Sequence, residues 1–320
     1  MNNFKKIGLS ALAGSLVAVS AHAADVSLSG GASVAVTSAF DGDKTGYYMN
    51  DSVTLTVSGE TDSGLTVTTS LELDGDTGAG NSFDSKSIKI ASDGMGTITY
   101  AGHGGDSVVG GWDDVMPTAY EEVFALTKNQ TDGTTSGNLT IAGFSGNSLW
   151  RYDSPSFGGA VISAAYQSAS QTGNVSSYSD MGIKISPEMV EGLEIGYAIG
   201  EFDETATVSI DVSTMYVKYA YGSFTIGLQA SENDGPTAAT SDESDSFGVS
   251  YAVTDDMSIS YGQHELETGT DTDVQESSGF SASYTSGGVT ISTAFNSTDN
   301  IRNAASNDED SYEVAVSFAF

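Results

Sequence analysis

Residues 65–73 alternate without a break. Leu65, Val67, Thr69, Leu71 and Leu73 fall on one side, and Thr66, Thr68, Ser70 and Glu72 on the other. The same two-residue rhythm recurs in 53–58, 181–186, 215–220, 257–261 and 289–295. Successive side chains of a strand point to opposite faces, whereas a helix repeats every 3.6 residues. These stretches therefore read as strands with one apolar face each. A soluble two-sheet sandwich is built from such strands too, so the connections carry the next step.

Strands are expected at 25–40, 49–60, 65–73, 83–92, 96–102, 147–154, 159–170, 179–186, 193–201, 212–220, 223–231, 245–252, 257–267, 276–285, 289–296 and 311–320. The links between them alternate in length. Short turns fall at 61–64, 93–95, 155–158, 221–222, 253–256 and 286–288. Long polar links fall at 41–48, 74–82, 103–146, 171–178, 202–211, 232–244, 268–275 and 297–310. Tight turns at one rim and long acidic loops at the other point to an all-β chain of about 16 strands, closed as a transmembrane antiparallel β-barrel.

Residues 1–23 read as a cleaved signal peptide. Lys5 and Lys6 precede an apolar, small-residue run, and Ala21-His22-Ala23 fits the cleavage pattern. Residues 24–320 then form one domain, with no linker composition inside it. The chain has no cysteine, so an exported fold must hold without disulfides. Its 43 Asp and Glu against 10 Lys and Arg give a net charge of −33. That excludes a nucleic-acid binder, which needs a basic face, and favours cations as partners. No later segment approaches 18 consecutive apolar residues, so no membrane-spanning helix is expected.

The last ten residues place Tyr312, Val314, Val316, Phe318 and Phe320 on one face, and Ser311, Glu313, Ala315, Ser317 and Ala319 on the other. An exported chain ending this way resembles the Gram-negative outer-membrane proteins. LWRYDSPSFGG (149–159) and GTITYAGHGGD (96–106) resemble the segments flanking the constriction loop of the general diffusion porins. The resemblance implies a sixteen-stranded homotrimeric barrel in outer-membrane lipid, with its long third loop folded into the lumen. It also implies that the strand ending at Phe320 is read by the barrel assembly machinery. The function implied is passive diffusion of ions and small hydrophilic solutes through a water-filled pore. A substrate-specific sugar or nutrient channel is the alternative; it calls for aromatics along the path, and Tyr216 is an exception among mostly Ser, Thr and Gly.

The third link, 103–146, is far longer than ordinary connections, which marks it as functional. Folded inward, it would bring Asp106, Asp113, Asp114, Glu121 and Glu122 to the constriction. A helical turn is expected near 118–126. Parity puts Arg151, Lys89, Lys184 and Lys218 on the inner face. A Lys or Arg facing lipid at mid-bilayer would cost about 2–4 kcal/mol. Lys86 shares parity with Ile88 and so must lie near the long-loop rim. In the family, wall arginines face acidic residues across the constriction, a role the resemblance carries to Arg151, with Lys89 a substitute on an earlier strand. The acids outweigh these bases, so the pore should prefer cations.

No cofactor is required by this reading. Clustered carboxylates suit Ca²⁺, which takes oxygen ligands, and Asp113 with Asp114 is the candidate pair. Catalysis needs a nucleophile, a base and an orienting group. Beyond residue 23 the only histidines are His103 and His264, neither near a distinctive serine motif, so an enzyme is not expected. Replacing Phe320 with Ser should lower the amount of heat-modifiable, assembled protein in the outer membrane; undiminished assembly would refute the role given to the last strand.

Overall fold

The computed structural model describes residues 24–40, 44–74, 83–126, 140–169, 177–205, 208–237, 240–269, 272–305 and 307–320. The expected signal peptide lies outside them. Sixteen antiparallel strands close into one barrel in the order β1-β18-β17-β16-β15-β14-β13-β12-β11-β10-β9-β8-β5-β4-β3-β2. They are β1 Asp25–Phe40, β2 Lys44–Glu60, β3 Thr66–Asp74, β4 Ser85–Ser92, β5 Gly96–His103, β8 Leu149–Asp153, β9 Ala160–Gln167, β10 Ser177–Ile185, β11 Leu193–Thr205, β12 Val208–Tyr221, β13 Phe224–Asp234, β14 Asp242–Thr254, β15 Met257–Thr268, β16 Gln275–Ser286, β17 Val289–Asp299 and β18 Glu309–Ala319. The two-residue strands β6 Gly105–Asp106 and β7 Ser145–Gly146 pair with each other at the root of the third link.

The ring closes where first and last strands meet. Gly31 pairs with Ala319 and Val36 with Val314. Beyond the strand, the backbones of Gly30 and Phe320 exchange both N–H···O bonds at 3.0 Å. The expected alternation holds around the barrel. Large apolar residues such as Ile199, Leu228, Phe280 and Val316 are exposed on the outer face. The inner face carries buried small and polar residues such as Ala198, Thr214, Ser281 and Asn296. At the short-turn rim, Gly287 and Gly288 both hold positive φ, 60° and 84°, the pair of angles that a two-residue hairpin turn of the right twist requires.

Several long links prove shorter than expected. Residues 202–211 are largely strand: Phe202 pairs with Ile210, Asp203 with Ser209 and Thr205 with Val208. The physical reason is an inward anchor at the outer rim, where the Phe202 ring packs on Tyr178 with centroids 4.4 Å apart. Likewise β2 begins at Lys44, not at residue 49. Strands β11–β17 thus run past their apolar rows into carboxylates that face outward at the same parity. Their registers set Glu201 opposite Asp211, Asp211 opposite Asp234, Glu232 opposite Glu243, Asp245 opposite Glu265, Glu265 opposite Glu276, and Glu276 opposite Asp299. Lys86 lies at the long-loop end of β4, at a bulge where it pairs with His103 and Ser87 pairs with Ala101.

The inner wall holds a track of glycines. Gly227, Gly248, Gly262 and Gly279 are direct cross-strand partners in turn on β13, β14, β15 and β16. The third link lies on this track. A Cβ at Gly227 would come 2.7 Å from Pro117, at Gly248 3.0 Å from Met116 and Pro117, and at Gly262 2.9 Å from Val123. Gly262→Leu should therefore push residues 116–123 off the wall at a cost of about 1–3 kcal/mol. The expected readout is faster proteolysis of this segment in a barrel that still resists heat; an unchanged cleavage rate would show that the glycines are not needed for the packing.

Candidate functional site

The described residues of the third link, 103–126 and 140–146, have almost no regular structure, so their backbone groups need partners if they are buried. The inner wall supplies them. At the root, Ser107 N–H donates to Phe144 C=O at 2.9 Å. Val109 N–H donates to Asp180 on β10 at 2.8 Å. The short 3-10 turn Gly110–Trp112 follows. Gln229 on β13 then grips the chain twice: its Nε2 donates to Trp112 C=O at 2.6 Å, and its Oε1 accepts from Val115 N–H at 3.0 Å. Ala119 N–H donates to Ser260 on β15 and Tyr120 N–H to Ser281 on β16, at 2.9 and 3.1 Å. Asn296 on β17 donates to Glu122 C=O at 3.0 Å. The far end is fastened at Glu313 on β18, only 2% exposed. Its Oε1 accepts from Tyr120 at 2.6 Å and from Tyr48 on β2 at 2.8 Å.

The expected helical turn at 118–126 is absent. Its early N–H groups are spent on the wall serines, and what remains is one turn bond from Ala125 N–H to Glu122 C=O at 3.1 Å. Apolar packing supplements the hydrogen bonds. Val108 and Val109 are fully buried in a cluster with Trp112, Ile141, Leu149, Tyr178 and Tyr216. Burying each such aliphatic side chain contributes about 1.5–3 kcal/mol. Tyr216, the aromatic singled out at lumen parity, is itself buried here, edge-on to Trp112 with centroids 5.3 Å apart.

The five acidic candidates divide into two sets. Asp106 and Asp113 are exposed. Asp106 accepts from Ser145 Oγ at 2.7 Å. Asp114, Glu121 and Glu122 line a narrow cleft between the link and the wall, together with Ser260, His264 and Asn296. Burial, aided by Glu122 and Asp113, pushes the Asp114 carboxyl up to about 7, although Met116 N–H donates to its ionised form. Burial also pushes Glu121 up to about 7, with Glu122 and Glu313 adding to the effect. Although its surface is exposed, the protein packed around Asp113 partly desolvates its carboxyl and raises it.

The basic candidates all sit at inward positions, but three are matched by acids on the wall itself. Arg151 Nη2 bonds Asp153 at 3.1 Å. Its Nη1 donates to Ser107 C=O at 3.0 Å, which ties the wall to the root of the link. Lys218 and Lys184 lie 3.2 and 3.8 Å from Glu194. Lys89 shares a cross-strand row with Arg151, with Thr99 between them. Asp153, Asp180, Gln229, Glu194 and Glu313 did not stand out in the sequence. Two of them carry a signal that went unused: Asp153 its i, i+2 spacing from Arg151, and Glu313 its inward parity in the last strand.

Asp113 and Asp114 turn their oxygens on their own backbone. Asp113 Oδ1 accepts from Asp114 N–H and Asp114 Oδ1 from Met116 N–H. Among the described residues no three His, Cys, Asp or Glu are placed to hold a metal together.

The wall contacts of the link yield a test. Asp180→Ala leaves Val109 N–H buried without an acceptor, a cost of about 1–3 kcal/mol. Hydrogen exchange at residues 107–112 should quicken by one to two orders of magnitude while the strands stay protected. Exchange at the wild-type rate would show that Asp180 does not hold the root.

Comparison with known proteins agrees with this architecture. Solved structures of similar fold include a trimer form of OmpT, an outer-membrane protein of Vibrio cholerae, with TM-score 0.67 and 12% identity over 93% of this chain and 99% of that one. An anion-selective porin from Comamonas acidovorans has TM-score 0.63 and 13% identity over 93% and 100%. A variant of Rh. blastica porin has TM-score 0.66 and 17% identity over 92% and 100%. Among curated proteins no sequence matches. The family model described as Gram-negative porin matches residues 8–278. With that match over most of the chain and a closed sixteen-stranded barrel, the chain belongs to the Gram-negative porin family.

Proposed function

We propose that the chain forms a homotrimeric, water-filled channel across the outer membrane. It passes ions and small hydrophilic solutes by passive diffusion, with a preference for cations. The third link lies against the β10–β18 side of the wall and narrows the lumen there. One observation carries the cation preference: Arg151, Lys184 and Lys218 are already matched by Asp153 and Glu194, so of the four inward basic candidates only Lys89 is left to oppose the carboxylates of the link. Fold alone does not set this property, since a neighbour of the same architecture is named anion-selective. The sign follows from the fixed charge lining the path.

The lining is pH-dependent in a stated direction. Asp114 and Glu121, with carboxyls near 7, are mostly neutral at pH 6 and mostly ionised at pH 8. Purified protein in a planar bilayer under a salt gradient should give stepwise conductance and a cation-directed reversal potential that is larger at pH 8 than at pH 6. An anion-directed potential would overturn the cation preference. Correctly folded protein without conductance would overturn the channel.

A further inference from the structure

The last link, residues 300–308 between β17 and β18, concentrates the strained backbone of the chain. Four non-glycine residues among those described hold positive φ, and three of them stand here: Asn300 at 52°, Arg302 at 60° and Asn303 at 54°. Asparagine tolerates the left-handed region, but a bulky residue such as arginine seldom enters it. Such a run persists only where the surroundings over-determine it. The link closes on itself around the 3-10 turn Ile301–Asn303. Ile301 N–H donates to Asn307 C=O at 2.8 Å, and Asn300 N–H to Asp308 Oδ1 at 3.0 Å. Its neighbours then hold it down. Asn303, 7% exposed, makes three side-chain bonds at the outer end of β15 and just beyond. Its Nδ2 donates to Leu266 C=O at 2.9 Å and to Asp273 C=O at 2.7 Å, and its Oδ1 accepts from Thr268 Oγ1 at 2.7 Å. Arg302 N–H donates to Gln275 Oε1 at 2.9 Å. Ile301 is only 2% exposed.

Leu266 and Gln275 face each other at inward positions of β15 and β16. The inward row of β15 rises toward the long-loop rim from Ser260 through Gly262 and His264 to Leu266. The first three lie against the third link: Ser260 accepts from Ala119 N–H, Val123 packs at Gly262, and the Phe124 ring stands 4.6 Å from His264. The fourth carries the last link, so one strand bears both links, the last outward of the third. The two ends of the last link are themselves held together, because Thr298 pairs with Glu309. We propose that residues 300–308 are a strap that covers part of the outer mouth above the third link, latched by Asn303 and able to swing outward about this pair. The proposal rests on the channel reading above and adds a second, movable restriction to it. The three bonds of Asn303 and the burial of Ile301 hold the strap down. The left-handed backbone pulls the other way, since release lets Asn300, Arg302 and Asn303 return to the commoner regions of φ and ψ. A segment poised in this way opens locally while the strands beside it stay paired.

The chain has no cysteine, so Ile301→Cys supplies a single thiol that is shielded while the strap is latched. Its reaction with a water-soluble maleimide should be slow, and about tenfold or more faster once Asn303→Gly is added, as the loss of buried hydrogen bonds implies. Glycine accepts the left-handed backbone, so this substitution removes the latch and leaves the backbone conformation open to the chain. Thr268→Val, at the end of β15, removes one of the three bonds and should quicken the reaction by less. In a planar bilayer the Asn303→Gly channel should show an added, higher conductance level. Equal labelling rates with and without either latch substitution, in barrels that assemble normally, would overturn the latch. A rate already fast in Ile301→Cys alone would do the same. Fast labelling after Asn303→Gly with unchanged conductance would overturn the strap as a restriction of the mouth. Folded protein without current would instead fall on the channel reading, and the labelling rates would still decide the latch.

Discussion

A buried irregular segment must find a hydrogen-bond partner for each backbone group it takes out of water, and the inner architecture of this barrel follows from that demand. The described residues of the third link satisfy few of their own backbone groups, because they form little more than one 3-10 turn. Its partners are therefore inward side chains of the wall: Asp180, Gln229, Ser260, Ser281 and Asn296, with Glu313 reached through Tyr120. Each stands on a different strand. The path of the link is thus written into the wall strand by strand, and the wall's own register sets where it can lie.

The glycine track adds the steric half of the same arrangement. Side-chain donors and acceptors can reach the link only if its backbone comes close, and three adjoining positions without Cβ atoms, Gly227, Gly248 and Gly262, let it do so. The result is an asymmetric lumen. The face formed by β10, β13 and β15–β18 is bonded to the described part of the link and β14 packs on it through Gly248, while β1–β3 carry Ser, Thr, Asn and carboxylates at inward positions. The charges are divided in a related way. The inward bases Arg151, Lys184 and Lys218 are held by neighbouring acids, and Arg151 works as much on the root carbonyl of the link as on Asp153.

The strand count, the two faces and the closing role of the last strand were legible because they depend on local alternation, which one strand displays by itself. The inward basic residues were legible for the same reason. The glycine track was not. Gly227, Gly248, Gly262 and Gly279 lie 14–21 residues apart, and only the registers of three hairpins bring them side by side. The division of the five acids was hidden likewise: nothing near Asp114 or Glu121 in the chain announces the wall residues that bury them. The extension of β11 and β12 through Asp203 and Asp211 went unread because polar composition resembles a loop, while the Phe202–Tyr178 contact that holds the hairpin is non-local.

The opposed carboxylates on the outer rim carry a mechanical consequence. Directly facing residues in an antiparallel pair stand about 5 Å apart, inside the roughly 8 Å screening distance of physiological salt. Each rung from Glu201 to Asp299 therefore pushes its two strands apart. In an open sheet that pressure would peel off the edge strand. Here there is no edge, because β1 and β18 are sealed together. The outward pressure becomes tension shared around a hoop of backbone hydrogen bonds, and the seam at Gly30 and Phe320 is the clasp that keeps the hoop shut.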